Sequence, residues 1–202
     1  RYGTAQVFAF VIMQVLMSVA FVVFPLISRS TFDEDHETTR LYIRQTMRVA
    51  LMVGVGLAAV FSSKAADIIG VVYPDAYRIG GLALRFLAWG VAGLSFLLIA
   101  CTILNSAGKT RRAIFTVGAT LVLSTALNVV LLYTADNQGE ALSRAGLATA
   151  VAMVAGALVS GVVVLKTFGA LISPLSAVRL LGAAGGTFLA GWWLASGGVL
   201  VT

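Results

Sequence analysis

Arg85 is the residue of this sequence with the clearest capacity for binding chemistry. It lies a short way inside an apolar run, at residues 79–104, that is long enough to cross a membrane. An unpaired guanidinium at that depth is costly, and its planar fork of donors matches phosphate oxygens. We therefore expect Arg85 either to line a polar cavity that takes an anionic head group or to extend its charged tip to the outer interface.

Three further side chains are candidate substrate-binding residues. Trp89 follows Arg85 by one helical turn, and its indole is expected either to stack on a sugar ring or to be an interfacial or packing tryptophan. Gln14 and Asn128 carry amides inside apolar runs, where an amide must find a partner. Helix-to-helix hydrogen bonds and ligand contacts are the two alternatives for both amides, whereas Asn105 is expected to cap a helix.

The positions of the acidic residues restrict the possible chemistry. Ion-coupled transporters usually carry a carboxylate near the middle of the membrane, and none of the eight acids lies there: Asp33, Glu34, Asp35, Glu37, Asp67, Asp75, Asp136 and Glu140. Cys101 and His36 are each the only residue of their type, which argues against a disulfide framework or a metal site. The sequence lacks P-loop, GxSxG and HExxH motifs. We expect no metal, no cofactor and no enzymatic activity.

Lipid is the expected solvent of this chain. Of its 202 residues, 59% are hydrophobic and 11% are charged, whereas a soluble domain has about 45–50% and about 25%. This composition excludes soluble enzymes and nucleic-acid-binding modules. Runs near ~20 residues match membrane helices. We predict an all-α, polytopic bundle in one membrane domain, with six transmembrane helices at residues 5–27, 45–62, 79–104, 113–133, 145–165 and 178–200.

The connections between these helices differ in charge. Pro25 is expected to end the first helix, followed by a polar segment at residues 28–47, and a short interfacial helix is expected at residues 64–72. Nine Lys and Arg residues follow the first, third and fifth helices, against five on the opposite side. Because cytoplasmic loops carry the excess of Lys and Arg, we expect the first helix to run from outside to inside.

Small residues recur every fourth position in the last two predicted helices. They form two stripes: Ala148, Ala152, Gly156 and Ser160, and then Gly182, Gly186 and Ala190. Such stripes allow helix backbones to approach closely. We expect tight packing within the bundle, with homodimerisation as the alternative.

Five short motifs, in this order and spacing, resemble the polysaccharide transporter (Wzx-like) flippases of the multidrug/oligosaccharidyl-lipid/polysaccharide exporter superfamily. They are FPLISR at residues 24–29, VYPDAY at 72–77, ILNSAGK at 103–109, Asn128, and GLATA at 146–150. The family has fourteen helices in two halves. The resemblance implies that this chain corresponds to helices eight to thirteen, and that the N-terminal half belongs to the same transporter.

The resemblance also implies a function. Such proteins move a polyprenyl-diphosphate-linked oligosaccharide, an O-antigen or other surface polysaccharide unit, across the bacterial plasma membrane by alternating access. The expected partners are this substrate and membrane lipids, with no nucleic acid. Arg85 then becomes a candidate cation for the diphosphate or an acidic sugar.

Three other functions remain as alternatives. A multidrug/cation antiporter of the same superfamily should carry a buried acid. A membrane-embedded glycosyltransferase or polymerase should expose large catalytic loops, whereas the loops here are short. A non-transporting scaffold should have a dry interior.

Overall fold

The described part of the chain is a bundle of helices. The computed structural model describes residues 2–74, 81–133 and 138–169, which form α1 (Tyr2–Phe32), α2 (His36–Ser63), α3 (Ala65–Val72), α4 (Gly81–Ser106), α5 (Thr110–Tyr133) and α6 (Gln138–Phe168). Within these ranges there is no strand, and every helix except α3 is long and apolar enough to cross a membrane. The predicted all-α polytopic fold is confirmed. The predicted helix at residues 178–200, with the stripe Gly182, Gly186 and Ala190, lies outside the described residues.

The first two helices are longer than the sequence analysis predicts. Pro25 lies inside α1 instead of at its end, and the segment predicted as polar connection is helical except for a turn at residues 33–35. Asp35 caps α2, because its carboxylate accepts a hydrogen bond from the Thr38 backbone N–H at 3.0 Å. The Thr39 hydroxyl donates to the Ser30 hydroxyl at 2.9 Å across the hairpin. These hydrogen bonds stabilise the helical conformation of the charged residues on both sides of the turn.

α4 is the central helix of the bundle. It packs against α1 and α2 on one side and against α5 and α6 on the other, and 72% of its most apolar stretch is buried. Large fully buried side chains from α1, α2 and α4 form the core, among them Ile12, Leu16, Ile27, Ile43, Met47, Leu84, Leu97, Ile103 and Leu104. α3 is the short helix predicted at residues 64–72, and it also packs on α4.

Glycines of α4 permit direct backbone contact with α6. A Cβ at Gly90 would lie 2.9 Å from the Ala150 Cα, and one at Gly93 would lie 3.0 Å from the Met153 backbone. The stripe on α6 is buried at all four positions, and a Cβ at Gly156 would lie 2.5 Å from the Thr120 Cγ2. The predicted packing role of this stripe within the bundle is confirmed, since its partners lie in the same chain.

The surface and interior of the bundle both suit a hydrocarbon solvent. Large apolar side chains are exposed on the outer faces, including Phe21 at 78%, Val122 at 71% and Phe115 at 80%. In the interior, the Ser95 hydroxyl donates to the Val91 carbonyl at 2.8 Å and the Thr120 hydroxyl to the Thr116 carbonyl at 2.8 Å, each within its own helix. Their polar atoms therefore need no water.

Three connections that the charge count assigns to one side of the membrane meet at one end of the bundle. The Arg40 Nε donates to the Phe168 carbonyl at 2.9 Å, and the Arg112 Nη1 donates to the Thr167 hydroxyl at 2.6 Å. We call the end that holds the α1–α2 turn, the α4–α5 turn and the end of α6 the basic end. The predicted alternation of the connections is confirmed for these helices, and the assignment of the basic end to the cytoplasm stays a prediction.

Substitution of Gly90 by Ala should destabilise the protein. The added methyl must push α4 from α6, and such overpacking costs about 1–3 kcal/mol. We expect a lower melting temperature for the intact protein in detergent micelles. Gly118→Ala is the matched control, because a Cβ there meets nothing within 4 Å and Ala favours helix. An equal melting temperature for the two variants would contradict the packing role.

Removal of the Asp35 carboxylate should weaken the α1–α2 hairpin in a pH-dependent way. Hydrogen bonds from the Thr38 side chain, and then from its backbone N–H, lower the pKa of Asp35 below its ordinary value of 3.8. The ionised cap therefore contributes stability above that pH, which is lost as the pH falls through the lower pKa of the folded state.

Thermal melting of the intact protein tests this cap. At neutral pH, Asp35→Ala should melt at a lower temperature than the wild type, and the difference should shrink below pH 3.8. Asp35→Asn keeps an N-cap acceptor without the charge, so at neutral pH it should melt between the Ala variant and the wild type. A wild-type to Ala difference that is constant with pH would refute the role of the charge.

Candidate functional site

Arg85 and Trp89 lie on adjacent turns near the start of α4, and both are half-buried. Trp89 packs against the hydrophobic core, which corresponds to the packing alternative, and a stacking role toward a sugar stays a prediction. Arg85 makes no hydrogen bond or ion pair with another described residue. Both alternatives for Arg85, a polar cavity and the interface, therefore remain as predicted.

Gln14 lies on an exposed face of α1. Its backbone carbonyl accepts a hydrogen bond from the Ser18 hydroxyl at 3.1 Å, while its amide has no partner among the described residues. An amide in this position is available to a ligand or to protein outside the described residues.

Asn128 joins α5 to α6. Its Nδ2 donates to the Thr149 hydroxyl of α6 at 3.3 Å and to the Ser124 carbonyl of its own helix at 2.9 Å. This geometry is the helix-to-helix hydrogen bond that the sequence analysis gave as one alternative. A ligand contact of Asn128 would have to compete with these bonds.

The structure does not bring the four predicted residues together. Gln14 belongs to the α1–α2 pair and Asn128 to the α5–α6 pair, and α4 lies between the two pairs. Arg85 and Trp89 lie one turn apart on α4. The observed candidate is therefore a pair on α4, with two separate amides elsewhere.

Three arginines of α2 are candidate binding residues that were not predicted from the sequence. Arg40, Arg44 and Arg48 recur at four-residue spacing, which places them along one side of a helix. Because α2 begins at His36, Arg44 and Arg48 lie about 12 and 18 Å along its axis at 1.5 Å per residue. All three are exposed. Their spacing was the available signal, but Arg40 and Arg44 fall in the segment predicted to be polar, and Arg48 falls in the first turn of the helix predicted at residues 45–62.

The length of α2 limits where Arg48 can lie in the membrane. The helix has 28 residues and is about 42 Å long, against ~30 Å of hydrocarbon. With Ser63 at the far boundary, the near boundary falls close to Arg44, and Arg48 lies about 6 Å inside it. In that placement the Arg48 guanidinium can extend to the near boundary or meet an anion there.

The described residues provide no cluster for metal binding. Within the described ranges, no three His, Cys, Asp or Glu side chains are placed so that they could hold a metal ion together. His36 instead lines a cleft of about 370 Å³ at the basic end, together with Thr39, Arg40 and Lys109. This arrangement presents positive charge and hydroxyls, which suit an anion.

Comparison with known protein families gives one match. Residues 2–130 match the family model described as MatE, a range that runs from α1 to the last turn of α5. No curated protein and no solved structure matches the chain.

A double-mutant cycle can separate the two roles of Asn128. If the bond to Thr149 connects the helices, Asn128→Ala and Thr149→Val should show a coupling free energy of about 0.6 kcal/mol, typical of such bonds in membranes. Stability of the intact protein in micelles is the measurement. Additive effects of the two substitutions would refute the helix-to-helix role and favour a ligand contact.

Proposed function

Because the chain belongs to the MatE family, whose members are membrane transporters, we propose that it translocates an anionic, lipid-linked oligosaccharide across the bacterial plasma membrane by alternating access. The family gives the general activity, transport without bond chemistry. The substrate class rests on the charges of the described helices and on the motifs that resemble the polysaccharide transporter flippases.

The charge distribution along the spans is the observation that carries this proposal. Apart from Glu37 in the first turn of α2, the five described spans contain no acidic residue. They do contain exposed Arg44 and Arg48 on α2 and half-buried Arg85 on α4. Guanidinium groups bind phosphate oxygens through paired, charge-assisted hydrogen bonds. These spans therefore offer guanidinium groups for an anion and, apart from Glu37, no carboxylate for a cation.

The positions of the arginines fit movement from one side to the other. Arg44 and Arg48 lie toward the basic end of the bundle, whereas Arg85 lies near the start of α4, at the opposite end. An alternating-access transporter exposes its substrate to each side in turn. We infer that the α2 arginines bind the diphosphate on entry and that Arg85 binds it before release.

A multidrug/cation antiporter is the second candidate, and the MatE match favours it. That mechanism requires a carboxylate to exchange a proton or sodium ion for a cationic drug. The described spans do not supply one in their interior, so the carboxylate would come from elsewhere in the transporter. Proton-dependent efflux of a cationic dye by the intact protein would support the antiporter over the flippase.

Arg48→Ala and Arg85→Ala should each impair export of surface polysaccharide. Loss of one charge-assisted hydrogen bond costs about 1.5–3 kcal/mol, so we expect at least about a tenfold reduction in export. The protein should remain in the membrane at normal levels. Export in cells that depend on the intact transporter is the measurement.

Arg29→Ala is the matched control for the export assay. Arg29 lies at the basic end, and its side chain is 86% exposed and 3.9 Å from the Asp33 carboxylate. Removal of this charge should leave export unchanged. Normal export by both the Arg48 and Arg85 variants would overturn the proposed anion path.

A further inference from the structure

A second basic surface lies apart from the α2 arginines and Arg85. At the basic end, a cleft of about 580 Å³ opens between the α4–α5 turn, the start of α5 and the end of α6. Lys109, Arg111, Arg112 and Lys166 line it, together with the apolar side chains of Phe115 and Val163. Positive charge from two helices and one turn therefore converges on one cavity.

The charges of this cleft are not neutralised by the described residues. No acidic side chain of the described ranges lines the cleft. The ion pairs of the described residues, Arg29 with Asp33 and Lys64 with Asp67, lie outside the cleft. Arg111 and Lys166 are exposed. The cleft also contains the N-terminus of α5, whose partial positive charge favours an anion.

One of the four cations fixes the shape of the cleft. The Arg112 Nη1 donates to the Thr167 hydroxyl at 2.6 Å, which ties the first turn of α5 to the last turn of α6. Gly108, with a φ of +70°, closes the α4–α5 turn, and the Lys109 N–H donates to the Leu104 carbonyl at 2.8 Å. The cleft is therefore built by the fold, and its remaining cations are available.

Charged and apolar residues occupy two levels in the cleft. Arg111 and Arg112 lie in the first turn of α5, and Lys166 lies in the last turn of α6. Phe115 and Val163 lie about one turn, or ~5 Å, deeper on the same helices. Phe115 is 80% exposed. This order, cations at the surface and bare apolar side chains beneath them, matches the order of groups in a lipid.

We propose that this cleft binds the phosphate head group of an anionic membrane lipid. The acyl chains lie along the exposed apolar faces of α5 and α6, which include Val122 at 71% and Leu158 at 68% exposure. Basic pockets between helices on the cytoplasmic side bind anionic head groups in this way. A free phosphate would leave the apolar level uncovered. The proposal goes beyond the proposed function, because the cleft does not include Arg44, Arg48 or Arg85.

Lipid retention by the intact, detergent-purified protein tests this site. Native mass spectrometry after titration with phosphatidylglycerol or phosphatidylcholine should show preferential retention of phosphatidylglycerol. Lys166→Gln should weaken that retention about fivefold, the effect of one cation near an anionic surface. Arg111→Gln should do the same, which provides a second variant if the first fails to fold.

Arg29→Gln is the matched control for Lys166→Gln. Both residues are exposed cations in the last turn of a 31-residue helix, and both helices end at the basic end. Only Lys166 lines the cleft. The control should retain phosphatidylglycerol as the wild type does.

Three results would overturn the assignment. Equal retention of phosphatidylglycerol and phosphatidylcholine would exclude an anion site, and equal losses in the Lys166 and Arg29 variants would show only nonspecific attraction. Displacement of the lipid by millimolar inorganic phosphate would identify a site for soluble anions. Because retention is measured without transport, these outcomes do not depend on whether the protein moves an oligosaccharide or a drug.

Discussion

Backbone contact between α4 and α6 is the interaction on which the rest of the bundle depends. In hydrocarbon, apolar side chains gain little by leaving lipid for another helix, so close packing must supply the attraction. Gly90 and Gly93 bring α4 against the backbone of Ala150 and Met153. With α6 held in this way, α4 can contact α1 and α2 on its other side. The central helix thus connects two pairs that otherwise share little contact.

The polar groups of the bundle are arranged around this packed centre. Buried hydroxyls bond within their own helices, as Ser95 and Thr120 do, and so the centre needs no charge. The described cations lie instead near the ends of the spans, on exposed or half-buried positions. This separation explains how a rigid, dry interface and positively charged surfaces coexist in a small bundle. It also agrees with transport, in which packed helices move as units while charged groups meet the substrate.

The basic end combines two kinds of positive surface with different surroundings. Arg44 and Arg48 are exposed along one side of α2. The cleft between α5 and α6 has a tethered wall, through Arg112 and Thr167, and an apolar floor. A bound lipid there would stabilise the α5–α6 pair without occupying the α2 arginines.

Much of the fold was predictable because hydrocarbon imposes a simple rule on sequence. A spanning segment must satisfy its own backbone hydrogen bonds, so long apolar runs become helices, and the five described spans agree with this rule. The close packing of the α6 stripe was also predictable, since only small residues permit it. The positions of the helix ends were harder to predict from the sequence. The start of α2 after the turn at residues 33–35 is set by the Asp35 cap, and the Ser30–Thr39 bond joins the two helices beside that turn.

The sequence by itself therefore determined the class of protein, the number of described spans and the sorting of Lys and Arg residues between the two ends. Hydropathy and charge can be read from each segment of the sequence without knowing which other helices it contacts. Only the tertiary structure decided which side chains meet: that Asn128 bonds to Thr149, that Gln14 and Asn128 lie on different helix pairs, and that Lys166 joins Arg111 around one cleft. These outcomes depend on helix rotation and on distances between helices, which side-chain packing sets.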